Sequence, residues 1–142
     1  MPRSLNILAT VGLALGAVFW LAGTLVTQAH LQRTLWAIDS PGLVMGTSLL
    51  SMKFFRQGND MVAAVFLVFA IGEGVLLSGT AAGPAGSVPA FAAGTAVWAT
   101  ALGLISIPQE FASGIRLVGV VTAMLFAVTA MRIFWGEPLL QL

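Results

Sequence analysis

Long stretches without a charged side chain are the feature that most restricts the fold of this chain. The first extends over 23 residues, from Leu5 to Thr27. A helix rises about 1.5 Å per residue, so a segment of that length crosses the ~30 Å hydrocarbon core of a bilayer. Only 8% of the 142 residues are charged, whereas a soluble domain has about a quarter. The sequence therefore predicts an all-α, polytopic transmembrane helical bundle that forms one integral membrane domain over residues 1–142.

Apolar segments recur along the chain and predict about five membrane-crossing helices. Their expected ranges are residues 5–27, 35–55, 61–82, 90–107 and 112–135. Between the third and the fourth, residues 81–89 are rich in glycine and proline. We expect a short loop there at the membrane surface, with Pro89 in the first turn of the next helix.

The second segment is the least apolar of these and leaves two alternatives. Asp39, Ser40 and Pro41 are typical of a helix start, with a capping side chain followed by proline in the first turn. A helix that begins at Pro41 would reach only ~22 Å by Phe55. The alternative to five crossings is therefore four crossing helices plus a re-entrant or kinked second segment.

Basic residues predict the orientation, because lysine and arginine are retained on the cytoplasmic side. With five crossings and the N-terminus inside, four basic residues fall on the cytoplasmic side and two on the outer side. The inner set is Arg3, Lys53, Arg56 and Arg116, and the outer set is Arg33 and Arg132. We therefore expect a multi-pass protein of a plasma or inner membrane with a cytoplasmic N-terminus.

Several functional classes receive no support from the composition. The chain has no cysteine, which excludes disulfides and thiolate chemistry. A net charge of +1 with scattered basic residues does not provide the basic surface that nucleic acids require. One histidine, His30, cannot supply a bis-histidine haem site. No catalytic constellation has convincing spacing, so we predict a non-enzymatic protein without cofactor or metal site.

Small residues spaced four apart predict close helix packing. The pairs are Gly12 with Gly16, Gly42 with Gly46, and Gly79 with Gly83. Such pairs either close the bundle of one chain or join two chains. The spacing does not distinguish the two, and we favour packing within the chain.

Glu73 is the main candidate for a functional polar group, because it lies deep in the third apolar segment. A carboxylate at that depth must be protonated, paired or hydrated. Glycines on both sides, Gly72 and Gly74, leave room for a neighbouring helix or for water. Glu73 is therefore either a proton- or cation-binding group or a neutral structural acid bonded to another helix.

Asp39 is the candidate for a second carboxyl group. A hairpin about Gly58 brings Leu43 opposite Glu73 and leaves Asp39 about one turn further out. The two acids are thus expected to share a cavity, with the indole groups of Trp20 and Trp98 near the depth of Glu73. We predict Arg132 as the ionic partner of Asp39, in competition with Glu137.

Two functions follow from these features. The first is a non-enzymatic accessory or assembly component, which acts through helix contacts with itself or with a larger membrane complex. The alternative is a small proton- or cation-coupled transporter or channel that uses Glu73, with a homo-oligomer supplying the space that five helices lack. In both cases the lipid bilayer is the main partner.

Overall fold

The computed structural model describes residues 3–109 and 111–136, except for the side chains of residues 83–86. These ranges contain five α-helices and no β-strand. The helices are α1 (Arg3–Leu25), α2 (Ala29–Arg56), α3 (Asp60–Ala81), α4 (Gly83–Ile105) and α5 (Ser113–Phe134). Four of them, all except α2, are long and apolar enough to cross a membrane. The predicted transmembrane helical bundle is confirmed.

The second helix differs from the prediction in where it begins. α2 is continuous from Ala29 to Arg56, and Pro41 lies inside it instead of opening it. Proline cannot donate a backbone hydrogen bond to the carbonyl of Ala37, but the helical bonds on either side keep the segment in one helix. At 28 residues it is ~42 Å long, more than the ~30 Å apolar core. The chain therefore combines four apolar helices with one long, more polar helix that contains a proline.

The predicted loop over residues 81–89 is wrong, and so is the predicted start of the fourth helix near residue 90. Ala82 alone separates α3 from α4, which begins at Gly83. Pro84 occupies the first turn of α4, where a missing N–H removes no helical bond. Pro89 lies further inside the same helix. The glycines and prolines near the start of α4 therefore do not interrupt the helix, although their abundance predicts a loop.

The turn between α2 and α3 forms as the hairpin prediction requires. Gly58 has a φ of +73°, which glycine adopts without the steric cost of a side chain. The side chain of Asn59 then accepts a hydrogen bond from the backbone N–H of Val62 at 3.2 Å and caps α3. Antiparallel packing of α2 on α3 follows from this short connection.

Each helix packs on its neighbours in sequence. Within the described ranges α1 contacts α2, α2 contacts α3, α3 contacts α4 and α4 contacts α5, with no backbone approach between helices further apart. Side chains from all five helices nevertheless border one central cavity. The helices therefore form a curved row whose two edges are α1 and α5.

The α1–α2 contact brings two of the predicted glycine pairs together. A Cβ atom added to Gly12 would lie 2.7 Å from the carbonyl oxygen of Gly42, and one added to Gly42 would lie 2.9 Å from that of Gly12. A Cβ on Gly46 would lie 3.0 Å from the carbonyl oxygen of Ala9, and one on Gly16 would meet Leu43. These pairs pack against each other inside one chain.

The third predicted glycine pair lies where α3 and α4 meet. A Cβ added to Gly79 would lie 2.7 Å from the Cβ of Ala90 on α4. Gly83 is the first residue of α4, and its surroundings lie outside the described part of the structure. The contact of Gly79 is therefore also within the chain.

Arg116 stabilises the connection between the last two helices. Its Nε donates to the carbonyl oxygen of Ser106 at 2.8 Å, and its Nη2 donates to that of Ile107 at 3.3 Å. These carbonyls follow the end of α4 and have no partner in the next turn of a helix. The guanidinium group thus joins the start of α5 to the end of α4.

Candidate functional site

The central cavity has a volume of about 230 Å³ and is partly open at the protein surface. We call it the carboxyl cavity, because it contains both candidate acids. It is lined by Trp20 from α1, Trp36, Asp39 and Ser40 from α2, Glu73, Leu76 and Thr80 from α3, Phe91, Thr95 and Trp98 from α4, and Phe126 and Thr129 from α5. Polar groups therefore come mainly from the three middle helices, while α1 and α5 contribute the two edges.

Glu73 is almost completely buried, with 3% of its surface exposed. Its Oε2 atom is buried and has no hydrogen-bond partner among the described residues. Its carboxyl group interacts with the side chain of Ser40 on the adjacent helix. A buried oxygen without a hydrogen-bond partner lowers stability by about 1–3 kcal/mol, and by more when the group is charged. The cavity therefore contains an acid that can take up a proton, a water molecule or a cation.

Asp39 lies on the same cavity and is also only 3% exposed. The hydroxyl group of Ser40 donates a hydrogen bond to Asp39 Oδ1 at 3.0 Å. The carboxyl groups of Asp39 and Glu73 are close enough for electrostatic interaction. The predicted sharing of one cavity by the two acids is thus observed, and Ser40, which sequence reasoning used only as a cap, lies between them.

No basic residue joins this pair among the described lining residues. Arg132 is exposed in the last turn of α5, and the structure does not bring it to Asp39. Glu137, the predicted competitor, lies outside the described residues. No third histidine, cysteine, aspartate or glutamate completes a metal-binding group with the two acids in the described ranges. Apart from the aliphatic Leu76, the other described residues that line the cavity carry hydroxyl groups or aromatic rings.

Trp98 forms the aromatic centre of the bundle. Its ring stacks on Phe69 at a centroid distance of 4.9 Å and an angle of 8°. It also contacts Phe126 at 5.6 Å and 39°. The sequence predicts that Trp98 and Trp20 lie near the depth of Glu73, and both line the carboxyl cavity. Ring contacts with these two partners position Trp98 next to the acids.

Trp36 is the residue that sequence reasoning missed. It is not among the candidate residues that the sequence indicated, but it lines the carboxyl cavity. It precedes Asp39 by three positions in α2, which places both on one helix face. That spacing could have revealed it. The Nε1 edge of Trp36 packs against Gly23. The indole N–H groups of Trp36 and Trp98 are buried, with no hydrogen-bond partner in the part of the chain that the structure describes.

The glycines beside Glu73 have different surroundings. A Cβ added to Gly72 would lie 2.7 Å from Cδ1 of Trp98 and 3.3 Å from the carbonyl oxygen of Gly94. A Cβ added to Gly74 would meet no described atom within 4 Å beyond the neighbouring backbone of α3. Gly72 therefore allows α4 to approach the helix next to the acid, whereas Gly74 makes no such contact.

No protein-family model, no curated protein and no solved structure matches the chain. Comparison with known proteins therefore identifies no family. A fold of this kind also hosts many functions. The function must therefore be argued from the chemistry of the cavity.

Proposed function

We propose that this helical membrane protein is a small proton- or cation-coupled carrier that binds its cation between Glu73 and Asp39. The observation that carries the proposal is the position of both buried acids on one cavity, without a basic side chain among the described lining residues. Intramembrane acids are costly, and in membrane proteins they mark ion and proton pathways. An acid pair of this kind provides negative charge that a bound cation can balance.

Coupling follows from the electrostatics of such a pair. Two ionised carboxyl groups close together repel each other, and the cost of each buried charge is several kcal/mol unless it is compensated. A proton or another cation relieves the repulsion, but both use the same oxygen atoms. Binding of one therefore favours release of the other, which is the condition for exchange across a membrane.

The accessory role is the second proposal, and it rests on the short connections between the helices. α1 and α2 are separated by residues 26–28, and α2 and α3 by residues 57–59. Connections this short leave mainly helix surfaces in the described ranges for a partner to contact. However, Gly12, Gly42 and Gly79, which motivated this role, contact other helices of the same chain. This is why we rank the carrier above it.

Reconstituted vesicles test the carrier. We expect wild-type protein to acidify or alkalise the vesicle interior when a cation gradient is applied, as read by an internal pH dye. Glu73→Gln should reduce this flux to the level of empty vesicles, because the amide cannot exchange a proton. Asp60→Asn is the matched control, since Asp60 is an exposed acid at the start of α3. Equal flux in wild type and Glu73→Gln over a panel of cations would refute the carrier.

Mild extraction tests the accessory role. If the chain acts through a partner, affinity purification in a gentle detergent should recover a defined complex whose size exceeds that of one chain. A monodisperse monomer without a co-purifying protein would argue against this role.

A further inference from the structure

The carboxyl cavity is larger than an inorganic cation requires. Its volume is about 230 Å³, whereas an apolar cavity of about 150 Å³ already accommodates benzene. Calcium takes about 6–8 oxygen ligands, and magnesium requires a regular octahedron. The described residues provide two carboxyl groups with no further acid or histidine beside them. A metal ion would therefore leave much of the space unfilled and most of its ligand positions to water.

Aromatic rings account for much of the remaining lining. Trp36 lies one helical turn from Asp39, on the same face of α2. Trp98 makes ring contacts with Phe69 and Phe126, whereas Trp20 and Trp36 have no ring partner among the described residues. Ring faces attract cations, and quaternary ammonium groups are the ligands that such faces bind best when water is excluded.

The cavity also opens at the protein surface. Three of its lining residues are exposed: Trp20 on α1, at 46%, Thr80 on α3 and Thr129 on α5. Each lies in the last two turns of its helix, and these three helices run in the same direction because each packs on an antiparallel neighbour. The opening therefore lies towards one end of the bundle. The exposed ring of Trp20 at this opening favours a ligand that is itself partly apolar.

From these observations we infer that the cavity binds an organic ammonium cation about the size of one aromatic ring. Glu73 and Asp39 balance its charge, and the rings of Trp36 and Trp20 contact its carbon groups. This inference rests on the proposed carrier function and names its substrate class. It differs from proton or metal-ion transport, because the aromatic side chains then contribute to selectivity.

Binding of benzyltrimethylammonium to the full-length protein in detergent tests the inference. Isothermal titration calorimetry should show saturable binding. A tenfold excess of sodium or potassium, which would offset a difference of roughly one unit in log affinity, should not displace the organic cation. Glu73→Gln should weaken binding by about 30-fold or more, because a desolvated charge pair is lost. Trp36→Leu should weaken it by about tenfold, and Trp36→Phe, which keeps a ring, by less.

The outcomes separate the substrate class from the carrier itself. If flux of protons, sodium or potassium depends on Glu73 but benzyltrimethylammonium binds equally to wild type and Glu73→Gln, the organic cation is wrong and the carrier remains. Equal binding to wild type and Trp36→Leu, with both proteins monodisperse and folded, also overturns the inference. If no cation, organic or inorganic, gives a Glu73-dependent signal in binding or flux, the carrier proposal fails as well.

Discussion

The α1–α2 interface and the carboxyl cavity use the same helix, α2, in opposite ways. At the interface, Gly42 lies so close to Gly12 that a single added carbon would meet backbone oxygen. At the cavity, Asp39 and Ser40 border about 230 Å³ of space. Small residues therefore serve to close the bundle, and the polar residues a few positions away remain next to an unfilled volume. On α2, the glycines that pack on α1 and the candidate functional residues therefore occupy different positions.

The largest expected effect tests whether α2, the helix that both regions share, crosses the membrane. The chain has no native cysteine, so single cysteines can be introduced by Gln28→Cys and Gln57→Cys at exposed positions before and after α2. With a cytoplasmic N-terminus, an impermeant maleimide should label the first in intact cells and the second only after permeabilisation. Labelling of both from one side would show that α2 does not cross.

Gly12→Ala is expected to destabilise the α1–α2 interface. The new Cβ would lie 2.7 Å from the carbonyl oxygen of Gly42, and overpacking of this kind costs about 1–3 kcal/mol. Thermal unfolding in detergent should show a clear decrease in Tm. Gly74→Ala is the matched control, because a Cβ there meets no described atom within 4 Å beyond the neighbouring backbone of its own helix. Similar Tm values for the two variants would contradict the close packing.

Gly72→Ala is expected to have a smaller effect on stability and a visible effect on the cavity. Its Cβ would meet the ring of Trp98 at 2.7 Å, and a ring can shift where backbone cannot. We expect a loss of about 1 kcal/mol, at the low end for overpacking, together with a change in tryptophan fluorescence. An emission spectrum identical to that of Gly74→Ala would show that Trp98 does not pack on Gly72.

Glu73→Gln should have the smallest effect on stability, although it abolishes the proposed flux. Functional groups are commonly placed at a cost to stability, so replacing a buried acid by a neutral amide of the same shape is expected to leave Tm unchanged or raise it slightly. Thermal unfolding of the variant beside wild type provides the measurement. A decrease in Tm as large as that of Gly12→Ala would instead indicate a structural acid, bonded as part of the interface.

Most helices could be predicted because their signal is local. α1, α3 and α5 lie within a few residues of their expected ranges, since a mostly apolar run long enough to span has few alternatives in lipid. The starts of α2 and α4 could not be predicted. Pro41 and Pro89 lie inside helices, and the tolerance of a helix for proline depends on the packing around it. Local composition does not contain that information.

The sequence by itself determined that lipid surrounds the helices, how many helices form and that Glu73 is buried. Each of these follows from the cost of placing charge in hydrocarbon. It also brought Asp39 near Glu73 through the register of one hairpin. Only the tertiary structure decided that Ser40 lies between the acids, that Trp36 lines the same cavity and that Arg132 does not reach Asp39. These are contacts between helices, and their geometry depends on how α1 to α5 curve around one cavity, which no single segment specifies.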